Sequence, residues 1–196
     1  MYVGTEKFAG MEVKITKEGD IYYFESEKLP VTKGCAKGLR GHIINHVGLN
    51  VLFKDRMLLG KKTMGSWPGY WFFGGSRNEN QDPQDAASFV ARSKLGLDIN
   101  STRFSNFCTF IFILPEKGPK NTNLHVKSVE SIIMSAEIGP GEISKIKCGK
   151  KKYQKAKFFL LDAVINKNKV VMDEVHPAVR LCAMKIVRER FNPKLL

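Results

Sequence analysis

Alternation of polar with apolar residues opens the chain. EVKITKE (12–18) and DIYYFESE (20–27) each put every second side chain on one face, and Glu18-Gly19-Asp20 between them suits a hairpin turn. Leu29-Pro30 ends the pattern, and the glycine- and lysine-containing stretch 32–41 reads as a loop. A β-prone run follows, IINHVGLNVLF (43–53), with Lys54-Asp55-Arg56 as a turn into a second strand, MLLGKKT (57–63). Further strands are predicted over 104–114, 129–138 and 156–164, with a loop at 115–123.

Two segments change period. Asp82 is a good N-cap, Pro83 suits the first helical position, and Gly96 is a C-terminal stop, so a helix is predicted over 83–95. Ala86, Phe89, Val90 and Ser93 form its expected inward stripe. The stretch 176–191 repeats the pattern, with Val179, Cys182, Ala183, Ile186 and Val187 on one face. Strands, one central helix, further strands and a terminal helix predict an α+β fold, an α/β/α sandwich. Residues 1–40 read as an N-terminal β extension and 41–196 as the main body of a single compact domain.

Composition narrows the class. With 43% hydrophobic and 26% charged residues over 196 positions, the chain has the make-up of a globular protein. The four cysteines, Cys35, Cys108, Cys148 and Cys182, are widely spaced with no C-x-x-C pair, which argues against a closed zinc site or disulfide scaffold. No apolar run reaches the roughly 18 residues needed to cross a bilayer, and the charged start is unlike a secretory signal. A cytoplasmic location and no membrane partner are expected.

Charge adds functional content. The net charge is +13. Residues 145–196 hold 14 Lys/Arg against 4 Asp/Glu, whereas residues 1–144 are nearly balanced. Seven lysines and no acid fall within 145–157: Lys145, Lys147, Lys150, Lys151, Lys152, Lys155 and Lys157. Such a block attracts polyanions, nucleic acid among them, or serves only as a solvated surface.

The segment 58–99 carries a resemblance. Leu58-Leu59-Gly60-Lys61-Lys62-Thr63, then Gly69-Tyr70-Trp71-Phe72, Gly74-Gly75, the capped helix and Leu95-Gly96-Leu97 follow the order of the Nudix hydrolase core. Within that family the likeness is to the GDP-mannose mannosyl hydrolase branch. The resemblance implies a Nudix-type α/β/α sandwich with a mixed central sheet. It also implies a box of glutamates holding Mg²⁺. Aligned without gaps from Gly75 to Gly96, the family's first Glu is Gln81 here, its Arg-Glu pair is Phe89-Val90, and its two metal-binding glutamates are Ser93 and Lys94. Hard cations need oxygen ligands, and glutamates three or four apart on a helix share a face. This chain has none at those positions.

Two readings follow. In the first, the protein is a catalytically degenerate Nudix-fold protein without a cofactor, binding nucleotide, nucleotide sugar or RNA. Lys61, Lys62, Arg77, Lys94 and Trp67 are then the candidate phosphate and nucleotide contacts, and the seven lysines the nucleic-acid contacts. In the second it is a divergent Mg²⁺-dependent hydrolase of nucleoside diphosphate sugars. Its chemistry is then supplied by His125, Glu130 or Glu79. A homodimer or larger assembly is compatible with either. The aromatic run Tyr70-Trp71-Phe72-Phe73 is expected in the core, at least in part.

Overall fold

The computed structural model describes residues 2–8, 11–26, 43–62, 69–113, 128–148, 153–166 and 175–191. The alternating N-terminal stretch forms β1 (Tyr2–Phe8), β2 (Met11–Glu18) and β3 (Ile21–Glu25), with the β2–β3 turn at Gly19-Asp20 as expected. The β-prone runs become β4 (Ile43–Phe53) and β5 (Arg56–Lys62), joined at Lys54-Asp55, where Lys54 takes the left-handed conformation (φ 54°). The aromatic segment gives two short strands, β6 (Gly69–Trp71) and β7 (Phe73–Ser76). Helix α1 (Pro83–Val90) follows and continues as one wider π-type turn, Ala91–Leu95. Then come β8 (Ser105–Ile113), β9 (Ser128–Glu137), a short α2 (Pro140–Ile143), β10 (Tyr153–Leu160), α3 (Leu161–Ile165) and α4 (Pro177–Phe191).

The described strands build one mixed sheet in the order β1-β2-β3-β8-β9-β4-β5-β10, with β6 on β5 and β7 on β4. Parallel pairings occur between β3 and β8 and between β4 and β9. One face packs under α1: Val47, Leu49 and Val51 of β4 meet Ala86, Ala87, Val90, Ala91 and Leu95. The other carries α3 and α4, with Phe24, Phe72, Phe110 and Phe112 meeting Val179, Cys182, Ala183 and Ile186. This is the α/β/α sandwich expected of the sequence. The aromatic run is mostly core, since Trp71, Phe72 and Phe73 are buried.

Two expectations are corrected. Phe89 does not face inward; it is 67% exposed, and Ser93 is exposed too, while Ala87 and Ala91 join Ala86 and Val90 against the sheet. Small residues let the helix lie close, which rotates the bulky Phe89 outward. The strand expected over 156–164 ends at Leu160 and turns into α3, so that Leu161 and Val164 reach the core at helical spacing. Cys108 on β8 and Cys182 on α4 are buried free thiols with sulfurs 3.6 Å apart, a proximity that the sequence spacing does not show. Among the described residues no helix is long and apolar enough to cross a membrane.

His176 sets the start of α4. It is fully buried, with its ring 4.5 Å from that of Trp71 and 5.9 Å from those of Phe24 and Phe112. Its Nδ1 accepts the Ala178 N–H at 3.1 Å, so the imidazole caps the helix. Burial, reinforced by the charges of Lys62 and Arg180, holds its pKa well below the ordinary 6.5. The unfolded chain therefore binds a proton below about pH 6.5 that the folded chain refuses, and stability rises with pH across that interval. Stability is expected to fall by up to about 1.4 kcal/mol per pH unit as pH drops from 6.5. Urea melts at pH 7.5, 6.5 and 5.5 check this, with His176→Asn flattening the dependence.

Candidate functional site

Strand registers bring one set of ends together. Glu25 lies opposite Ile113, Ile113 opposite Ser128, and Ser128 opposite Ile43. Lys62 lies opposite both Tyr153 and Gly69, and Ser76 opposite His46. The ends of β3, β5, β7 and β8 and the starts of β4, β6, β9 and β10 thus share one edge of the sandwich. Val175 bridges Tyr70, so α4 begins there too, while Arg190 near its far end donates to the Lys54 carbonyl at the opposite edge. Lys61, Lys62, Arg77 and Glu130 are collected at this edge. Trp67, His125, Lys150, Lys151 and Lys152 lie outside the described residues.

A polar pair that sequence reasoning missed lies at the same edge. His46 Nδ1 is 3.0 Å from the hydroxyl of buried Ser131. Gly74 on β7 presses against the imidazole: a Cβ there would come 2.6 Å from the Val47 carbonyl and 2.9 Å from His46 Nε2. Only glycine permits this approach. The signal in the sequence is a histidine inside an otherwise apolar strand, legible only once its partner strand is known. Gly74→Ala is expected to cost about 1–3 kcal/mol by forcing β7 from β4. Chemical denaturation measures it, with Gly141→Ala, where a Cβ meets nothing within 4 Å, as the near-neutral control.

Arg77 organises the loop into α1. Its backbone N–H donates to the Asn45 carbonyl at 3.0 Å, and its Nη1 donates to the carbonyls of Glu79 (3.2 Å) and Gln81 (2.9 Å). The guanidinium is therefore a brace within its own loop. Its Nε is buried and meets no acceptor within the protein. Glu79 is exposed, and Gln81 accepts the Asn78 N–H at 3.4 Å. Asp82 caps the helix as expected, accepting from the Gln84 and Asp85 amides at 2.7 and 3.3 Å.

The far end of α1 closes by glycine chemistry. Gly96 adopts φ 67°, and the Leu97 N–H returns to the Ala91 carbonyl at 3.2 Å. Residues 145–147 dock on this end, the Lys147 N–H donating to the Leu95 carbonyl at 2.7 Å. Lys145 and Lys147 are exposed there, and Lys94 is half-buried one turn away. Along the helix, Phe89 and Ser93 face outward, while Val90 is 3% exposed and faces Gly75.

These positions do not fit a magnesium ion. The side chains at Gln81, Phe89, Val90, Ser93 and Lys94 include no carboxylate. Among the described residues, no three of His, Cys, Asp or Glu gather closely enough to hold a metal. Glu130 is half-buried on β9 and Glu79 is on the loop, and neither forms part of such a group.

The lysine block divides. Lys155 and Lys157 are exposed on β10, the outer strand, on the face that carries α4. Lys155 lies opposite Lys61. The Lys61 ammonium sits 5.6 Å from the Tyr70 ring centre, and that of Lys157 sits 5.2 Å from Phe159. Lys62 projects over Trp71 at 5.3 Å. At the start of β10, burial raises the Tyr153 pKa to about 12, and its hydroxyl donates to the Phe72 carbonyl at 3.1 Å.

Comparison with solved structures reveals the architecture. A MutT Nudix hydrolase from Burkholderia pseudomallei superposes with a TM-score of 0.55, covering 74% of this chain and 99% of its own at 15% identity. The fold is the Nudix fold. A Bacillus subtilis pyrophosphohydrolase covers 96% of this chain and 99% of its own, with a TM-score of 0.52 at 13% identity. A MutT protein from Methanosarcina mazei gives 0.52 at 15% identity, covering 79% and 100%. No protein-family model matches the sequence, nor does any curated protein. Such low identities establish the shape, and activity has to be argued from the side chains.

Proposed function

We propose that this protein uses its Nudix fold to bind rather than to hydrolyse. Its ligand is a nucleotide or an RNA-type polyanion, held by a basic face and a phosphate-shaped cleft. The observation that carries this is the side-chain set on and beside α1. Hydrolysis of a pyrophosphate in this fold depends on Mg²⁺ held by carboxylates, and Phe89, Val90, Ser93 and Lys94 offer none. An ammonium at Lys94 repels a divalent cation but attracts a phosphate directly.

Further support comes from the edge where the strand ends meet. Lys61 and Lys62 lie at the edge where α4 begins, their ammoniums over the rings of Tyr70 and Trp71. A ligand bearing phosphates is carried over from neighbours described as hydrolases and a pyrophosphohydrolase, as part of this proposal. Removal of the metal ligands leaves the cradle and takes away the means of activating water.

Equilibrium binding and turnover, each with Mg²⁺ and with EDTA, test the reading. Nucleotides and short RNAs are expected to bind equally in both, with affinity falling steeply between about 50 and 200 mM salt. Release of sugar or phosphate from nucleoside diphosphate sugars is expected to be absent in both. Mg²⁺-dependent turnover that Glu79→Gln or Glu130→Gln abolishes would establish an active hydrolase instead.

A further inference from the structure

The basic block divides into two parts that differ in position and in what occupies their charge. Lys155 and Lys157 project from β10 on the α4 side, one on either side of a residue that faces the other way, so they repeat at about 6.7 Å. Lys61 on β5 stands beside Lys155 on the same face, because directly opposed residues of an antiparallel pair share a face. Beneath them Tyr70 and Phe159 meet edge to face with ring centres 4.6 Å apart, and the Lys61 and Lys157 ammoniums are poised over those two rings.

Several cations elsewhere are paired with acids. Arg92 pairs with Asp98, Arg103 with Glu142, Arg180 with Glu6, Lys185 with Asp20 and Arg190 with Glu137. Lys155 and Lys157 have no carboxylate partner among the described residues. Lys145 and Lys147 are different again. They flank Ile146, which packs on the α1 side of the sheet, and their backbone closes the end of α1, where ammoniums complement the carbonyl end of the helix. The sheet separates them from Lys155 and Lys157.

We infer that a single-stranded nucleic acid runs along the outer edge of the sheet on the α4 side, with its phosphodiester backbone on Lys61, Lys155 and Lys157. Lys145 and Lys147 serve the end of α1 and do not touch it. This rests on the polyanion-binding reading above. A single strand is favoured because the lysines occupy only the two outermost strands, beside the half-exposed ring of Tyr70, on which a base can stack. Lys155 and Lys157 offer a cation to each of two successive phosphates, with Lys61 abreast of the first.

Fluorescence anisotropy with a fluorescein-labelled oligouridylate, on the full chain across a salt series, tests it. Lys155→Ala with Lys157→Ala is expected to weaken binding about tenfold and to lower the salt slope by about 1.4, the value for two contacts to a single strand. Lys145→Ala with Lys147→Ala removes the same charge and is expected to change affinity less than twofold. Oligothymidylate in place of oligouridylate is expected to give the same pattern, and duplex RNA to bind more weakly. Equal losses from the two pairs, or a larger loss from Lys145 and Lys147, overturn the inference while leaving polyanion binding intact. Competition by polyglutamate as effective as by oligouridylate overturns the nucleic-acid assignment. Wild-type protein that binds no oligonucleotide at all overturns the broader reading as well.

Discussion

The parallel pairing of β4 with β9 fixes the rest of the molecule. β4 is covered on both faces, so its alternate residues answer to different cores. Val47, Leu49 and Val51 go under α1, and His46, Gly48 and Asn50 go to the other side. A slip of one residue would exchange the two sets. The polar members of the second set are held by β9, His46 by Ser131 and Asn50 by Ser135 at 3.1 Å. Buried hydrogen bonds of this kind specify register, because any other pairing leaves them unmet. With β9 on one side of it and β5 and β7 on the other, the register of β4 determines where Lys61, Lys62, Arg77 and Glu130 emerge.

On that frame, α1 keeps all the local devices of a positioned helix and none of the metal chemistry that the Nudix resemblance implies. Asp82 starts it, Gly96 stops it, and alanines at 86, 87 and 91 let it lie close to the sheet. These are requirements of packing and are met by residues facing inward. The chemistry of a helix surface belongs to residues facing outward, which packing does not constrain. Packing fixes the first set and leaves the second free to vary, and Phe89 stands exposed among the outward-facing positions.

Electrostatics divides along similar lines. Ion pairs join distant segments: Arg180 of α4 to Glu6 of β1, Lys185 of α4 to Asp20 in the β2–β3 turn, and Arg190 to Glu137 at the end of β9. These stitch α4 across the sheet from one edge to the other. Glu6, Asp20 and Glu137, from the nearly balanced N-terminal part of the chain, are thus engaged in holding the fold. On β10, Lys155 and Lys157 have no carboxylate partner among the described residues and face solvent.

The chain alone determined what depends on near neighbours. The β2–β3 hairpin, the β4–β5 turn, the cap and stop of α1, the terminal helix and the sandwich all follow from residues within a few positions of one another, where period, capping and turn chemistry act. It also displayed the missing carboxylates, since they are a matter of identity at fixed spacing. What it left open depended on partners far along the chain. Whether Phe89 or Ala87 faced inward was set by how closely the sheet approached. The contact of His46 with Ser131, the meeting of Cys108 with Cys182, and the parting of Lys147 from Lys155 across the sheet were set by strand order. Seven lysines read as one block in the sequence because it is one-dimensional; only the packed sheet, with two faces and an outer strand, could give Lys147 and Lys155 different neighbours.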